Sequence, residues 1–213
     1  IGARQEGITG PITLTHLPYA MPSIAGEAAS LLMEEIKQDP ENQEDILLQN
    51  VLIKEDEFTL GSDHFILSDP QIDIPCVMIG QMPDLYYHTS GDTLQRMDLN
   101  VLKYSTVLAA SYVYLLSNMN PEDAQAVYEH QCTHLMKQQE QKKRKARLAH
   151  KSSKQLQKEL AVLKEFHLAC ARDMLHYVGE IDVQAQCARI EALLPYELQE
   201  ETRSTKVYRR CFH

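Results

Sequence analysis

Apolar and polar positions alternate over residues 11–17, with Ile12 and Leu14 set against Thr13 and Thr15, and this predicts a strand. The period then lengthens. Over residues 24–37 the apolar side chains Ala28, Leu31, Leu32 and Ile36 recur at helical spacing, behind Ser23 as a helix-capping residue. Asp39-Pro40 ends that helix, because the residue before a proline is pushed out of helical geometry. Residues 46–53 read as a second strand. Residues 75–80, PCVMIG, form a short apolar run bounded by proline and glycine, as expected of a buried strand. A helix over 100–118 follows the turn-rich segment 89–92.

Beyond Pro121, placed to open a helix, the pattern is helical throughout. Residues 122–149 are helical but polar. Residues 151–177 place Leu156, Leu160, Leu163, His167, Cys170 and Met174 three or four apart, which is an amphipathic stripe stopped near Gly179. A shorter helix covers 183–194 and ends at Pro195; a short strand is conceivable at Tyr208–Cys211. The expected architecture is α/β over residues 1–119, followed by an all-helical extension over 120–213 with a long antiparallel helix pair.

Composition changes this picture little. With 44% hydrophobic and 24% charged residues the chain is an ordinary globular sequence. No uninterrupted apolar run approaches the roughly 20 residues of a membrane span. Residues 101–119 are interrupted by Lys103, Tyr104, Ser105, Thr106 and Ser111, and read as a well-buried core helix. No membrane partner is expected. The five cysteines show no CxxC spacing, so free thiols and a reducing, cytoplasmic setting are expected.

Charge is more informative. Residues 1–136 carry 5 Lys/Arg against 20 Asp/Glu, which argues against nucleic acid as a partner there. Residues 137–158 reverse the balance, with 9 against 1, and the basic run 142–154 reads as the solvated tip of the helix pair.

The chemistry-bearing residues concentrate in 58–98. Gly61-Ser62-Asp63-His64 precedes the PCVMIG strand, and Tyr86-Tyr87-His88-Thr89-Ser90-Gly91-Asp92-Thr93 follows it. His88 lies a few residues past a strand end, where loops in α/β sheets collect ligands. Asp63 and Asp92 are carboxylates of the kind that orient a metal-bound imidazole through its second nitrogen. Three other histidine features read as packing. His130 and His134 are spaced i, i+4 but lack the glutamate of HExxH, so they read as a surface or packing pair. His167 and His176 flank the apolar stripe and read as helix-packing residues. Glu34-Glu35 reads as a solvated helix face.

The order of these pieces resembles the end of the catalytic domain of the co-catalytic di-zinc aminopeptidases, of the bacterial leucyl aminopeptidase and glutaminyl cyclase type. In that family a Ser-Asp-His segment precedes the last core strands, and a His-Thr followed by Asp-Thr supplies the final zinc ligand. The resemblance covers roughly residues 1–118. It implies a zinc-dependent hydrolase acting on the amino termini of peptides. It makes His88 a metal ligand, Asp63 a carboxylate behind the metal ligands, and Tyr87 a neighbour of the substrate pocket. It further implies that the start Ile1-Gly2 continues a segment of the type Asn-Leu-Asp-Met-Ile-Gly, so that most zinc ligands lie in a missing N-terminal part of the same domain. His88 alone cannot hold a metal tightly, and the chain by itself is expected to be inactive. Two readings compete: a non-catalytic helical interaction module centred on 120–213, and a catalytically dead relative.

Overall fold

A computed structural model describes residues 10–39 and 51–194. The reading over 46–50 and the terminal strand at 208–211 lie outside the described residues. Three short strands make one mixed sheet in the order β2-β1-β3: β1 (Ile12–Thr15), β2 (Ile53–Asp56) and β3 (Met78–Gln81). β1 is central, parallel to β2 with Ile12 opposite Ile53, and antiparallel to β3 with Ile12 opposite Gln81. The sheet is therefore mixed, and β3 is half-buried along most of its length, where its sequence predicted full burial. As an outer strand of the three it has, among the described residues, a strand neighbour on one side alone.

Between β1 and β2 runs α1 (Ile24–Gln38). Ser23 caps it as expected, accepting from the Ala25 amide at 3.2 Å. The same serine hydroxyl donates to Asp173 Oδ2 at 2.6 Å, so the helix start is also fastened to a distant helix end. α1 has two working faces. Ala29, Met33 and Ile36 pack with Ile12 and Leu14 of the sheet and with Val101, Tyr104 and Leu108. Ile24 and Ala28 belong instead to a second cluster with the C-terminal helices.

The remaining elements are α2 (His64–Leu67), α3 (Leu99–Asn118), α4 (Pro121–Leu148), α5 (Ser153–Asp173) and α6 (Val183–Leu193). Their starts are chemically marked. Asp98 accepts from the Asn100 and Val101 amides, and Asn120 with Asp123, and Ser152 with Gln155, form reciprocal capping boxes. α4 and α5 are joined through residues 149–152 and pack on each other through Cys132, Leu135, Leu163, Leu168 and Ala171. The basic end of α4 reaches back over the α/β layer. Lys145 lies 3.9 Å from Glu57, and the Lys142 ammonium sits 5.6 Å from the centre of the Tyr19 ring. The cluster around Ile24 and Ala28 runs without a break from α1 into α4, α5 and α6.

α3 departs from its expectation. It buries Val101, Tyr104, Ser105 and Leu108, but Val113 is 63% and Tyr114 71% exposed. Its length and its mean hydropathy of 1.2 over an 18-residue window are those a membrane-crossing helix would need, with 17% of that window buried. His176 also departs: it is exposed and pairs with Asp173 at 2.9 Å, where helix packing was expected. Cys76, Cys132, Cys170 and Cys187 are free thiols, in line with the cysteine spacing.

Two substitutions test the packing. Leu135 is fully buried between α4 and its neighbours. Leu135→Ala should lower stability by about 2–5 kcal/mol, read from urea unfolding midpoints. Gly10 lies so close to the chain after β3 that a Cβ there would meet the Met82 carbonyl carbon and the Pro83 oxygen at 2.6 Å. Gly10→Ala must push β1 away from that segment and should lower the melting temperature.

Candidate metal centre

The segment after β3 is shaped by its own polar groups. Asp84 Oδ1 accepts from the Tyr86 amide at 2.9 Å. The Tyr86 carbonyl accepts from both the amide and the hydroxyl of Thr89, at 3.0 and 2.8 Å. Thr89 Oγ1 in turn accepts from the Gly91 amide at 3.2 Å. Arg96 donates to the Tyr86 hydroxyl at 2.8 Å while its guanidinium lies 4.8 Å over the same ring. Within these turns His88 adopts φ 58°, a left-handed conformation uncommon for a side-chain-bearing residue. Its exposed imidazole stacks on Tyr87, ring centres 3.8 Å apart and planes within 19°.

The Ser62-Asp63-His64 segment divides its residues. Asp63 stands exposed at the start of α2 and makes no capping bond. His64 is buried; its Nε2–H donates to the Thr59 carbonyl at 2.9 Å, and its ring meets Phe58 edge-on. Asp63, His88 and Asp92 do not form a shared ligand cluster among the described residues. Among the described residues none of them belongs to a trio of His, Cys, Asp or Glu whose ligand atoms lie within 4.8 Å of one another. The chain's own residues at this loop therefore offer a single imidazole, which does not make up a two-zinc site.

The residues that do converge lie elsewhere, and of the two trios only His130 and His134 were singled out in the sequence, as a surface or packing pair. Glu27, on the buried face of α1 and 3% exposed, accepts from His134 of α4 at 2.9 Å. Glu55 of β2 accepts from His16, just past β1, at 2.7 Å, and lies 3.7 Å from His134 Nε2. Ser30 donates to Glu55 at 2.8 Å, and the His130 Nε2–H donates to Ser30 at 2.9 Å. His16–Glu55–His134 and Glu27–His130–His134 are the two trios close enough to share an ion. The pair His130/His134 is thus half-buried and turned onto α1 and the sheet. Its i, i+4 spacing was visible in sequence, but the partners come from α1 and β2, and nothing local announces them.

A hydrogen-bond chain fixes the tautomers. Gln131 Nε2 donates to the His167 backbone carbonyl at 2.9 Å, which sets the orientation of that amide and leaves its Oε1 without a partner. The same nitrogen lies 3.3 Å from His167 Nδ1, so Nδ1 accepts and Nε2 carries the proton. His167 Nε2–H then donates to Gln138 Oε1 at 3.2 Å, which turns the Gln138 nitrogen to His134 Nε2 at 2.9 Å. His134 Nε2 is thereby an acceptor, and its Nδ1–H goes to Glu27.

The electrostatics agree in part. Burial pushes the Glu27 carboxyl up, but the charge and hydrogen bond of His134 outweigh it and hold the group at about 2. Burial likewise opposes ionisation of Glu55, yet the hydrogen bond from His16 keeps it below the usual carboxylate range. Burial holds the His130 and His167 imidazoles down, His167 at about 4. His134 is the exception: burial opposes its charge, but Glu27 and Glu55 raise its proton affinity above normal. The hydrogen-bond chain wants a lone pair on Nε2, while the two carboxylates want a positive charge there. Geometry fixes the direction of that lone pair, and the carboxylates state what it lacks.

Because His167 is fully buried and neutral, its stabilising effect is complete above its ordinary value of 6.5 and is lost as pH falls from there toward about 4. His130 acts in the same direction. Glu27 and Glu55 contribute fully above the ordinary 4.5 and begin to fail only below it. His134, raised, contributes fully below 6.5 and loses its effect as pH climbs through its higher folded value. Lowering the pH from 7 to 5 should therefore cost about 2 kcal/mol of unfolding free energy. His167→Gln should flatten that dependence in urea titrations, and an unchanged slope would refute the assignment.

The comparisons with known proteins are brief. No curated protein and no solved structure matches the chain. A family model, that of peptidase family M28, matches residues 7–113, half of the sequence, including β1 to β3, both histidine-bearing motifs and most of α3. The chain belongs to peptidase family M28, a family of metallopeptidases.

Proposed function

We propose that this chain is the distal part of a zinc-dependent aminopeptidase domain, acting on the amino termini of peptides, with His88 as one zinc ligand. The observation that carries this reading is the loop after β3. Its turns are locked by Asp84, Thr89 and Arg96, and they present the imidazole of His88 outward on the face of Tyr87. A ligand held in that way loses little freedom when a metal arrives. Tyr87, 49% exposed beside it, is placed to meet a substrate side chain. Asp63 is assigned the role of a carboxylate behind the metal ligands.

Zinc would supply a polarised carbonyl and a more acidic water. A co-catalytic pair also needs a bridging carboxylate, further ligands and a glutamate base. The loop offers one of these groups, so no hydrolytic step is assigned to residues of this chain, and the chain alone is proposed to be inactive. The open apolar side of α3, with Val113 and Tyr114 uncovered, supports a missing part of the same catalytic domain as the partner that covers it. We read α3 accordingly as a core helix and not as a membrane span. The rival reading, residues 120–213 as a free-standing interaction module, is disfavoured by the core that those helices share with α1.

The test uses the complete protein and an aminoacyl anilide. His88→Ala should lower turnover by at least about 100-fold and reduce zinc content, while Asp63→Asn should cost about 10- to 100-fold with smaller metal loss. Full activity and full zinc content in His88→Ala would sink the assignment. Zinc-dependent cleavage by the 213-residue chain alone would refute its proposed inactivity.

A further inference from the structure

The cluster between α1, the sheet and α4 is separate from the His88 loop, and His134 lies outside the stretch that matches the family. We propose that His16, Glu55 and His134 form a zinc site of the two-histidine, one-carboxylate kind, with Glu27 holding His134 in place and an open coordination position facing a cleft.

Three observations support it. The ligand types suit zinc, which takes imidazole nitrogen and carboxylate oxygen in three-ligand sites that leave one position open. The nitrogen is unprotonated: the chain from Gln131 through His167 and Gln138 makes His134 Nε2 an acceptor, 2.9 Å from the Gln138 amide nitrogen and 3.7 Å from Glu55, so an ion would take the place of the Gln138 bond. The support is present: Glu27 accepts from His134 Nδ1–H at 2.9 Å, the carboxylate–histidine arrangement that fixes metal-bound imidazoles.

The distances fit a site closed at present by two hydrogen bonds, His16 to Glu55 and Gln138 to His134. Ligand atoms about 2.0–2.1 Å from a tetrahedral zinc lie about 3.3–3.4 Å from one another. His134 Nε2 and Glu55 Oε2 stand at 3.7 Å, close to that edge length. His16 Nε2 and Glu55 Oε2 stand at 2.7 Å because His16 donates a proton to the carboxylate. Zinc would replace that proton, which leaves to solvent, and the pair would open by about 0.6 Å.

The way in is a cleft of about 690 Å³ lined by His16, Glu27, Glu55, His130 and His134 on its floor and by Tyr19 and Phe166 above. Lys137, Lys142 and Lys145 also line it, but each is directed to another group: Glu34 at 3.3 Å, the Tyr19 ring, and Glu57. The ion would tie α4 to β1 and β2, and so fasten the C-terminal helices to the family-matched sheet.

The test is titration of Zn2+, and of Co2+ as a spectroscopic stand-in, into the full chain carrying His88→Ala, which removes the ligand of the other reading. One equivalent should bind, with Co2+ giving the intense visible bands of a four-coordinate ion. Glu55→Gln or His16→Gln on that background should weaken binding by about 100-fold or more, and Glu27→Gln by about 10- to 100-fold. His16→Gln retains a donor for Glu55, so its circular dichroism should be unchanged and the loss cannot be ascribed to unfolding. No zinc binding in His88→Ala, or binding indifferent to His16 and Glu55, would overturn the site. Neither result bears on His88, whose reading is judged by anilide cleavage in the complete protein.

Discussion

A carboxylate is buried in the first turn of the helix that both apolar clusters share. Glu27 sits on α1 between Ile24 and Ala28 on one side and Ser30 on the other, and it is ionised. A charge removed from water must be met by compensating groups or the fold loses several kcal/mol. His134 meets it from α4, while the neutral His167 stands 3.9 Å away on α5. α4 is thus positioned in part by the need to satisfy one carboxylate, and not by apolar packing alone. Removing His134 would leave an unpaired buried charge, a greater loss than the pair is worth by itself.

The same helix joins two apolar clusters. One cluster reaches β1 and α3 through Met33 and Ile36; the other reaches α4 to α6 through Ile24 and Ala28. The polar cluster lies at their seam, where β1 ends at Thr15 and His16 turns toward Glu55. This explains why residues outside the family-matched stretch share a core with residues inside it. It also explains why a composition shift near residue 120 is visible in the sequence although packing continues across it.

Local chemistry was the legible part. Ser23 and Pro121 marked helix starts in the sequence, and the structure places α1 and α4 there; it adds Asp98, Asn120 and Ser152 as caps, bonded to amides two or three residues on. Strand positions followed from apolar runs, with β2 displaced toward residue 56. Burial of α3 and of β3 was misjudged because apolar content does not say whether a neighbour is present. The cluster was out of reach for a different reason. His134 and Glu27 are 107 residues apart, and His16 and Glu55 are 39 apart, so no window of sequence contains a pair. A histidine pair at i, i+4 without its glutamate in the same helix carries no sign that another helix supplies one.

The two places proposed to take a metal differ in what organises them. Around His88 the bonds among the described residues are local: Asp84 to Tyr86, Tyr86 to Thr89, Thr89 to Gly91, Arg96 to Tyr86. Such a loop keeps its shape whatever lies opposite, which suits a ligand that waits for partners from elsewhere in a catalytic domain. The cluster at Glu27 is the reverse. Its bonds join β1, β2, α1, α4 and α5, and each imidazole proton is placed by a residue from another element. Its geometry exists only when the whole fold does, so a cation held there would stabilise the native state and bind the unfolded chain weakly. Preorganisation by short-range turns gives a ligand that can be completed from outside; preorganisation by tertiary structure gives a site complete in itself.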